Sequence, residues 1–327
     1  MKKRQFFLII FTLFCIATKS HAQWEAPVSH YWEAKSYYNP SFAGAKDQIS
    51  TTAVYQYQRT VFKDSPQRII LTANMPFDFL KRKHGVGLVV YSGNIGSLRN
   101  SLLAAQYNFR QQLGTGMLNI GLQTGVYDLS YDPGNIGIFP DSLQNSNLQN
   151  NQQLNINLTK KQVADISAGI SWTGNRFFVG LSIMHFNQPL FYTASDSGNN
   201  FPNTSTDSTQ SQIPRSYNFI AGYNIRLLNS LEIQPMVWVL HDENQTQTQA
   251  TVKMEYDKRF SGGITLNSES DYSVFAGTTI QGFRFGYAYT LHNKGIVKDS
   301  HELFVRYDFT IDSFKPKMKP HKSIRLL

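Results

Sequence analysis

From about residue 50 to residue 310 the chain alternates bulky apolar residues with small or polar ones, at a period of two. In its last block, Leu303, Val305, Tyr307 and Phe309 share one face of an extended strand, and Phe304, Arg306 and Asp308 share the other. Phe283, Phe285, Tyr287, Tyr289 and Leu291 stand opposite Arg284, Gly286, Ala288, Thr290 and His292. Tyr217, Phe219, Ala221, Tyr223 and Ile225 stand opposite Asn218, Gly222, Asn224 and Arg226, and Leu103, Ala105, Tyr107 and Phe109 opposite Gln106, Asn108 and Arg110. A water-soluble sheet cannot leave so many rings on an exposed face. Lipid on one side of every strand and a polar interior on the other produce this pattern.

Fourteen segments carry the period, at 50–60, 67–77, 85–94, 98–111, 115–128, 163–173, 176–186, 215–226, 231–241, 246–256, 259–268, 271–280, 282–292 and 301–311. The first and the one at 231–241 alternate least cleanly. Each is near the roughly ten residues a tilted membrane strand needs. The expectation is an all-β chain forming an antiparallel up-and-down outer-membrane β-barrel of about fourteen strands. The two long polar connections, 129–162 and 187–214, both follow odd-numbered segments. The alternate connections are short, such as Thr173-Gly174-Asn175, Leu228-Asn229-Ser230, Tyr256-Asp257-Lys258 and Gln281-Gly282, with Pro76 to His84 the longer exception. With both termini periplasmic, the long connections are extracellular and the short turns periplasmic, as in bacterial barrels.

The ends add a route and a compartment. Lys2, Lys3 and Arg4 precede an apolar run from Phe6 to Ile16, and Ser20-His21-Ala22 forms a small-x-small cleavage site. Residues 1–22 are read as a secretory signal peptide, which places the mature chain in the outer membrane of a Gram-negative bacterium. Cys15 is the one cysteine and lies within that signal, which excludes disulfides, thiolate metal sites and cysteine nucleophiles from the mature protein. The formal charge of +9 falls to +5 once the four cations of the signal, Lys2, Lys3, Arg4 and Lys19, are removed. A basic secreted chain points to lipopolysaccharide, membrane lipid or an acidic protein partner rather than nucleic acid. Residues 23–49, rich in aromatics (Trp24, Tyr31, Trp32, Tyr37, Tyr38), are read as a lead-in or plug. Residues 50–311 are the barrel, and 312–327 a basic periplasmic tail. Lys315, Lys317, Lys319, Lys322 and Arg325 of that tail are the candidate docking residues for an acidic partner.

Asn39-Pro40-Ser41-Phe42-Ala43-Gly44, with Gly180 to Pro189 and Ser300-His301-Glu302-Leu303 further along the chain, resembles motifs of the PorP/SprF membrane proteins of the Bacteroidota type IX secretion system. Asn39-Pro40-Ser41-Phe42-Ala43-Gly44 is similar to that family's NPxxAG element, and the likeness continues through Gly85-Val86-Gly87-Leu88 and the Gly/Tyr pattern of Leu103 to Tyr127. Gly180 to Pro189 resembles its GLSxxHLNQP element with Phe186 in place of Leu, and Ser300-His301-Glu302-Leu303 its GSHEL element with Asp299 in place of Gly. Phe260-Ser261-Gly262-Gly263 departs from the family, which often has tryptophan before the glycine pair. Gln23-Trp24-Glu25-Ala26-Pro27 and the Tyr31 to Ala43 stretch resemble the PorP branch more than the gliding-motility SprF branch. The resemblance implies a non-catalytic outer-membrane component of the secretion and gliding machinery. It implies partners in a periplasmic ring lipoprotein with its partner subunit and in a periplasmic peptidoglycan-binding protein. It also implies contact with secreted proteins bearing C-terminal sorting domains.

The residues leave two other readings. Arg110, Arg226, Arg284 and Arg306 face the lumen by parity, and in an open barrel they favour a channel for small anionic solutes or lipids. Their plainer role is to pair with Asp165 or Asp308 and fill the lumen. An enzyme would need a Ser/His or Asp/His site at the rim, built from His185, His241, Asp242, His292 or His301. Nothing in the spacing of those residues, with Glu243 added, supports catalysis or a metal, and no cofactor motif is present.

Overall fold

The computed structural model describes residues 27–61, 65–96, 98–131, 156–158, 162–195, 209–243, 245–268, 271–293 and 297–309. The tail and its five docking candidates, Lys315, Lys317, Lys319, Lys322 and Arg325, lie outside the described residues, as do 1–26.

In chain order the strands are β1 (Ile49–Thr60), β2 (Gln67–Phe79), β3 (Arg82–Ile95), β4 (Leu98–Leu113), β5 (Gly116–Tyr131), β6 (Ile156–Leu158), β7 (Gln162–Thr173), β8 (Phe177–Met184) and β9 (Leu190–Ser195). They continue with β10 (Thr209–Gln212), β11 (Ser216–Tyr223), β12 (Ile225–Leu228), β13 (Leu231–His241), β14 (Thr246–Tyr256), β15 (Phe260–Asn267), β16 (Tyr272–Ile280), β17 (Phe283–Leu291) and β18 (Val297–Phe309). Fifteen of them form one antiparallel sheet, and β6, β9 and β10 a small separate one. The large sheet closes on itself. β1 pairs with β18 from Ile49↔Phe309 to Tyr55↔Leu303 and beyond, and β11 pairs with both β8 and β13. β11 and β12 are one crossing interrupted at Asn224, whose N–H turns aside to the Arg176 carbonyl at 2.6 Å. The wall is therefore a fourteen-crossing barrel. Closure matters because no water is present in the bilayer to satisfy an open strand edge.

Parity along the strands separates lipid from lumen. Leu303, Val305 and Phe309 are exposed on the outside, while Glu302, Phe304 and Arg306 are buried inside. Leu103 and Tyr107 point out, against Gln106, Asn108 and Arg110 within. At 231–241 both faces are apolar. Met236, Trp238 and Leu240 are buried inward, because the lumen there holds aromatic rings rather than water.

The structure shifts several boundaries. β8 stops at Met184 rather than 186, because His185 takes a left-handed φ of 54° and its ring turns to Asp165 at 2.7 Å. β18 begins at Val297, ahead of the expected 301, extending the ladder to β1 as far as Thr60. The longer connection expected at Pro76 to His84 is a two-residue turn, Leu80-Lys81, because β2 and β3 pair up to Phe79↔Arg82. Both turn residues adopt positive φ, 49° and 60°, matching the primed turns whose twist suits a hairpin. The connections after β2, β4, β7, β12, β14 and β16 are all short and share one end of the barrel with Ile49 and Phe309, and the two long connections leave from the other, as does the two-residue β3–β4 link.

The core is inside the barrel. Before β1 the chain forms a single helical turn, α1 (Lys35–Tyr38), and a 3₁₀ turn, Pro40–Phe42. Val28, Tyr31, Trp32, Tyr37, Tyr38 and Phe42 of this stretch are all buried against inward wall residues.

Candidate functional site

Residues 27–48 run through the lumen, and their contacts define the site. At the level of Glu302 (β18), the carboxylate accepts from the Ser29 N–H at 2.6 Å, the His30 N–H at 2.7 Å and Gln56 Nε2 at 3.2 Å, with His30 Nδ1 2.6 Å away. A carboxylate this deeply buried is stable only when its lone pairs are all engaged. Below it, aromatic residues pack tightly. His30 lies against Phe304 (ring centroids 4.5 Å apart), Trp32 against Phe275 (4.9 Å) and Tyr38 against Trp238 (4.9 Å).

Asn39-Pro40-Ser41-Phe42-Ala43-Gly44 then docks on the opposite wall. Asn39 caps the 3₁₀ turn, accepting the Ser41 N–H at 2.9 Å, and Pro40 occupies its first position, where a missing N–H costs nothing. Its amide also donates to the Leu181 carbonyl at 3.1 Å. Ser182 donates to the Tyr38 carbonyl (2.6 Å), and Asn108 to that of Ala43 (2.8 Å). The wall is bare where the motif touches it. A Cβ on Gly121 would collide with the Ser41 backbone, and one on Gly169 with the Asn39 side chain. Gly85 and Gly180 line the same contact. These glycines admit a chain that no larger residue would allow so close.

Toward the short-turn end the contacts become ionic. Glu33 takes Arg284 at 3.0 and 3.1 Å and Arg306 at 3.5 Å, and Arg306 also donates to Asp308 at 2.8 Å. Burial alone would raise the Glu33 carboxyl, but Arg284 and Arg306 outweigh it and hold it well below the usual carboxylate range. Arg110 reaches Asp47 at 3.0 Å and the Ala45 carbonyl at 2.8 Å. Three of the four arginines read from parity, Arg110, Arg284 and Arg306, thus grip the lumenal segment. Arg226 keeps the same parity but lies on β12, beyond the end of β8, with its side chain 75% exposed and paired with Glu232. Asp308 pairs as read from the sequence, whereas Asp165 belongs to His185.

The histidines considered for catalysis are not brought together. His185 bonds Asp165, His241 bonds Thr246 at 2.8 Å, and His301 bonds Tyr287 at 2.7 Å. His292 stands between Asp271 and Ser300, 2.6 Å from each, an order found in hydrolase triads. Ser300 is 1% exposed, which leaves no room for a substrate at its hydroxyl. The group instead ties the β15–β16 connection to β17 and β18.

The sequence put Phe304 on the inner face without giving it a role, and it missed the inward aromatic residues Phe275 and Trp238. The available signal was a set of rings on an otherwise polar face, together with an aromatic-rich stretch lying outside every strand.

Among solved structures the chain resembles a Pseudomonas aeruginosa FadL homologue (11% identity, TM-score 0.48, covering 85% of this chain and 94% of that one). It also resembles the Acinetobacter baumannii outer membrane protein Omp33 (10%, 0.46, 81% and 100%) and the P. putida toluene transporter TodX (11%, 0.44, 84% and 92%). No curated protein sequence matches it. The model of the type IX secretion system membrane protein PorP/SprF family matches residues 20–307, a span that includes the lumenal segment and the described wall up to Tyr307, and the chain belongs to that family.

Proposed function

We propose that this protein is a closed, non-catalytic outer-membrane barrel that anchors periplasmic components of the type IX secretion and gliding machinery, and surface cargo with them. The observation that carries the reading is the occupied lumen. Residues 27–48 are bonded to inward side chains on strands around the wall, so the barrel serves as a fixed body rather than a conduit. Docking is assigned to the short-turn end, taken as periplasmic because short turns face that side in bacterial barrels. Lys81, Arg82, Lys83, Arg176, Lys258 and Arg259 are exposed there, and residues 312–327 follow the strand that ends there. The partners in this reading are the periplasmic ring lipoprotein with its partner subunit and the peptidoglycan-binding protein. Cross-linking mass spectrometry on intact outer membranes tests it. Cross-links from the short-turn end and tail to ring proteins are expected, weakened by deletion of 312–327. Their absence from that end overturns the reading.

A channel for small anionic solutes remains the competing reading. It requires residues 27–48 to leave the lumen, and only a steady conductance from the full chain would restore it.

A further inference from the structure

A cavity of about 400 Å³ opens at the short-turn mouth, beneath the lumenal segment and beside the β4–β5 and β7–β8 turns. Lys35, Lys46 and Arg306 face it against one acid, Glu33, which Arg284 and Arg306 already pair, and Phe42, Phe178 and Met117 form its apolar wall. Arg306 is occupied by Glu33 and Asp308. The two lysines are not: among the described residues neither is in an ion pair. The Lys35 ammonium lies over the Phe178 ring, 3.8 Å from its centroid, and 5.2 Å from that of Phe42.

Lys35 is half-buried, and the nearby acids Glu33 and Asp308 are shared with Arg284 and Arg306, so they offset only part of the charge that the two lysines bring. Burial, with Arg306 second, pulls the Lys35 ammonium down to about 8. The Lys46 side chain is exposed at the mouth, and the repulsion of Arg306 is the first cause that brings its ammonium down to about 7. The cavity is therefore short of negative charge and large enough for several side chains, with rings to pack on. A free phosphate would fill little of this volume.

We propose that this cavity binds a carboxylate-bearing peptide segment entering from the short-turn mouth, with Lys35 and Lys46 as its charge partners. That such a peptide comes from a periplasmic docking partner rests on the function proposed above. The binding itself does not, so the two readings fail separately.

The test titrates the full chain in detergent micelles with a blocked tri-glutamate peptide, its tri-glutamine counterpart and inorganic phosphate. It is run at low ionic strength and about pH 6, where carboxylates are ionised and lysines protonated. The glutamate peptide is expected to bind at least about tenfold tighter than the glutamine peptide, with Lys46→Met and Lys35→Met each weakening it by about tenfold. Lys46 is in no ion pair, so Lys46→Met leaves folding intact, verified by heat-modifiable migration on gels. Equal affinity for the two peptides overturns the proposal, as does unchanged affinity in a folded Lys46→Met protein. Displacement by an equal concentration of phosphate overturns it in favour of a site for small free anions.

Discussion

The Glu302 carboxylate on the last strand accepts the backbone N–H of His30 at 2.7 Å, across 272 positions of sequence. One buried acid thereby fixes the upper end of the lumenal segment to the seam where β18 meets β1. Glu302→Ala would strand the Ser29 and His30 N–H groups and the Gln56 amide in a dry interior. A loss of about 3 kcal/mol in unfolding free energy is expected, read from urea titration followed by tryptophan fluorescence. An unchanged midpoint would mean that the segment does not need this acid.

The glycines beneath the Asn39-to-Gly44 turn make a separate prediction. Gly169→Ala places a methyl group against the Asn39 side chain, so the motif must lift off the wall. The expected cost is about 1–3 kcal/mol. Trypsin should then cleave after Lys35, which is protected in the parent protein, while the barrel keeps its heat-modifiable migration. Continued protection of Lys35 would show that the wall gives way instead.

In planar bilayers the full chain is expected to show no steady conductance, because aromatic and ionic contacts fill the lumen from Val28 to Asp47. Deleting residues 28–46 should open a steady pore, lined by the arginines and polar groups the segment now covers. Identical traces from both proteins would refute the occupied-lumen reading.

Peptide binding at the short-turn cavity carries a pH signature. Lysine is charged below its pKa, and Lys46 and Lys35 are brought to about 7 and about 8. The charged groups facing them are Glu33, Arg284, Arg306, Asp308 and Lys253. Affinity for the tri-glutamate peptide should be greatest near about pH 6, where its carboxylates are ionised and both lysines protonated, and fall as pH rises through this window. A flat profile between about pH 6 and 9 would exclude the lysines as its partners.

How much was legible depends on which environment a residue answers to. Leu303, Val305 and Phe309 answer to lipid, a uniform medium that acts on every second residue, so their alternation identified the barrel and its inner and outer faces. The long connections at 129–162 and 187–214 revealed which strand ends share a side. Trp238 and Phe275 answer to a different partner, the rings of Tyr31, Tyr38 and Trp32, and on the strand pattern alone they read as noise. The Asn39-to-Gly44 motif was visible as a motif, and Gly121 and Gly169 as glycines. Nothing local shows that the one lies on the others, because that contact joins residues about eighty to one hundred and thirty positions apart.

The sequence by itself thus determined the class of fold, the parity of each strand and the family. Lipid and water impose the fold class and the parity through short-range periodicity and composition, whereas the family was carried by the resemblance of particular motifs. Only the tertiary structure decided that the N-terminal stretch fills the lumen, that Arg110, Arg284 and Arg306 serve that stretch while Arg226 does not, and that Lys35 and Lys46 are in no ion pair among the described residues. Each of those facts depends on which side chains meet across the barrel, and long-range pairing is set by closure of the whole wall rather than by any segment of it.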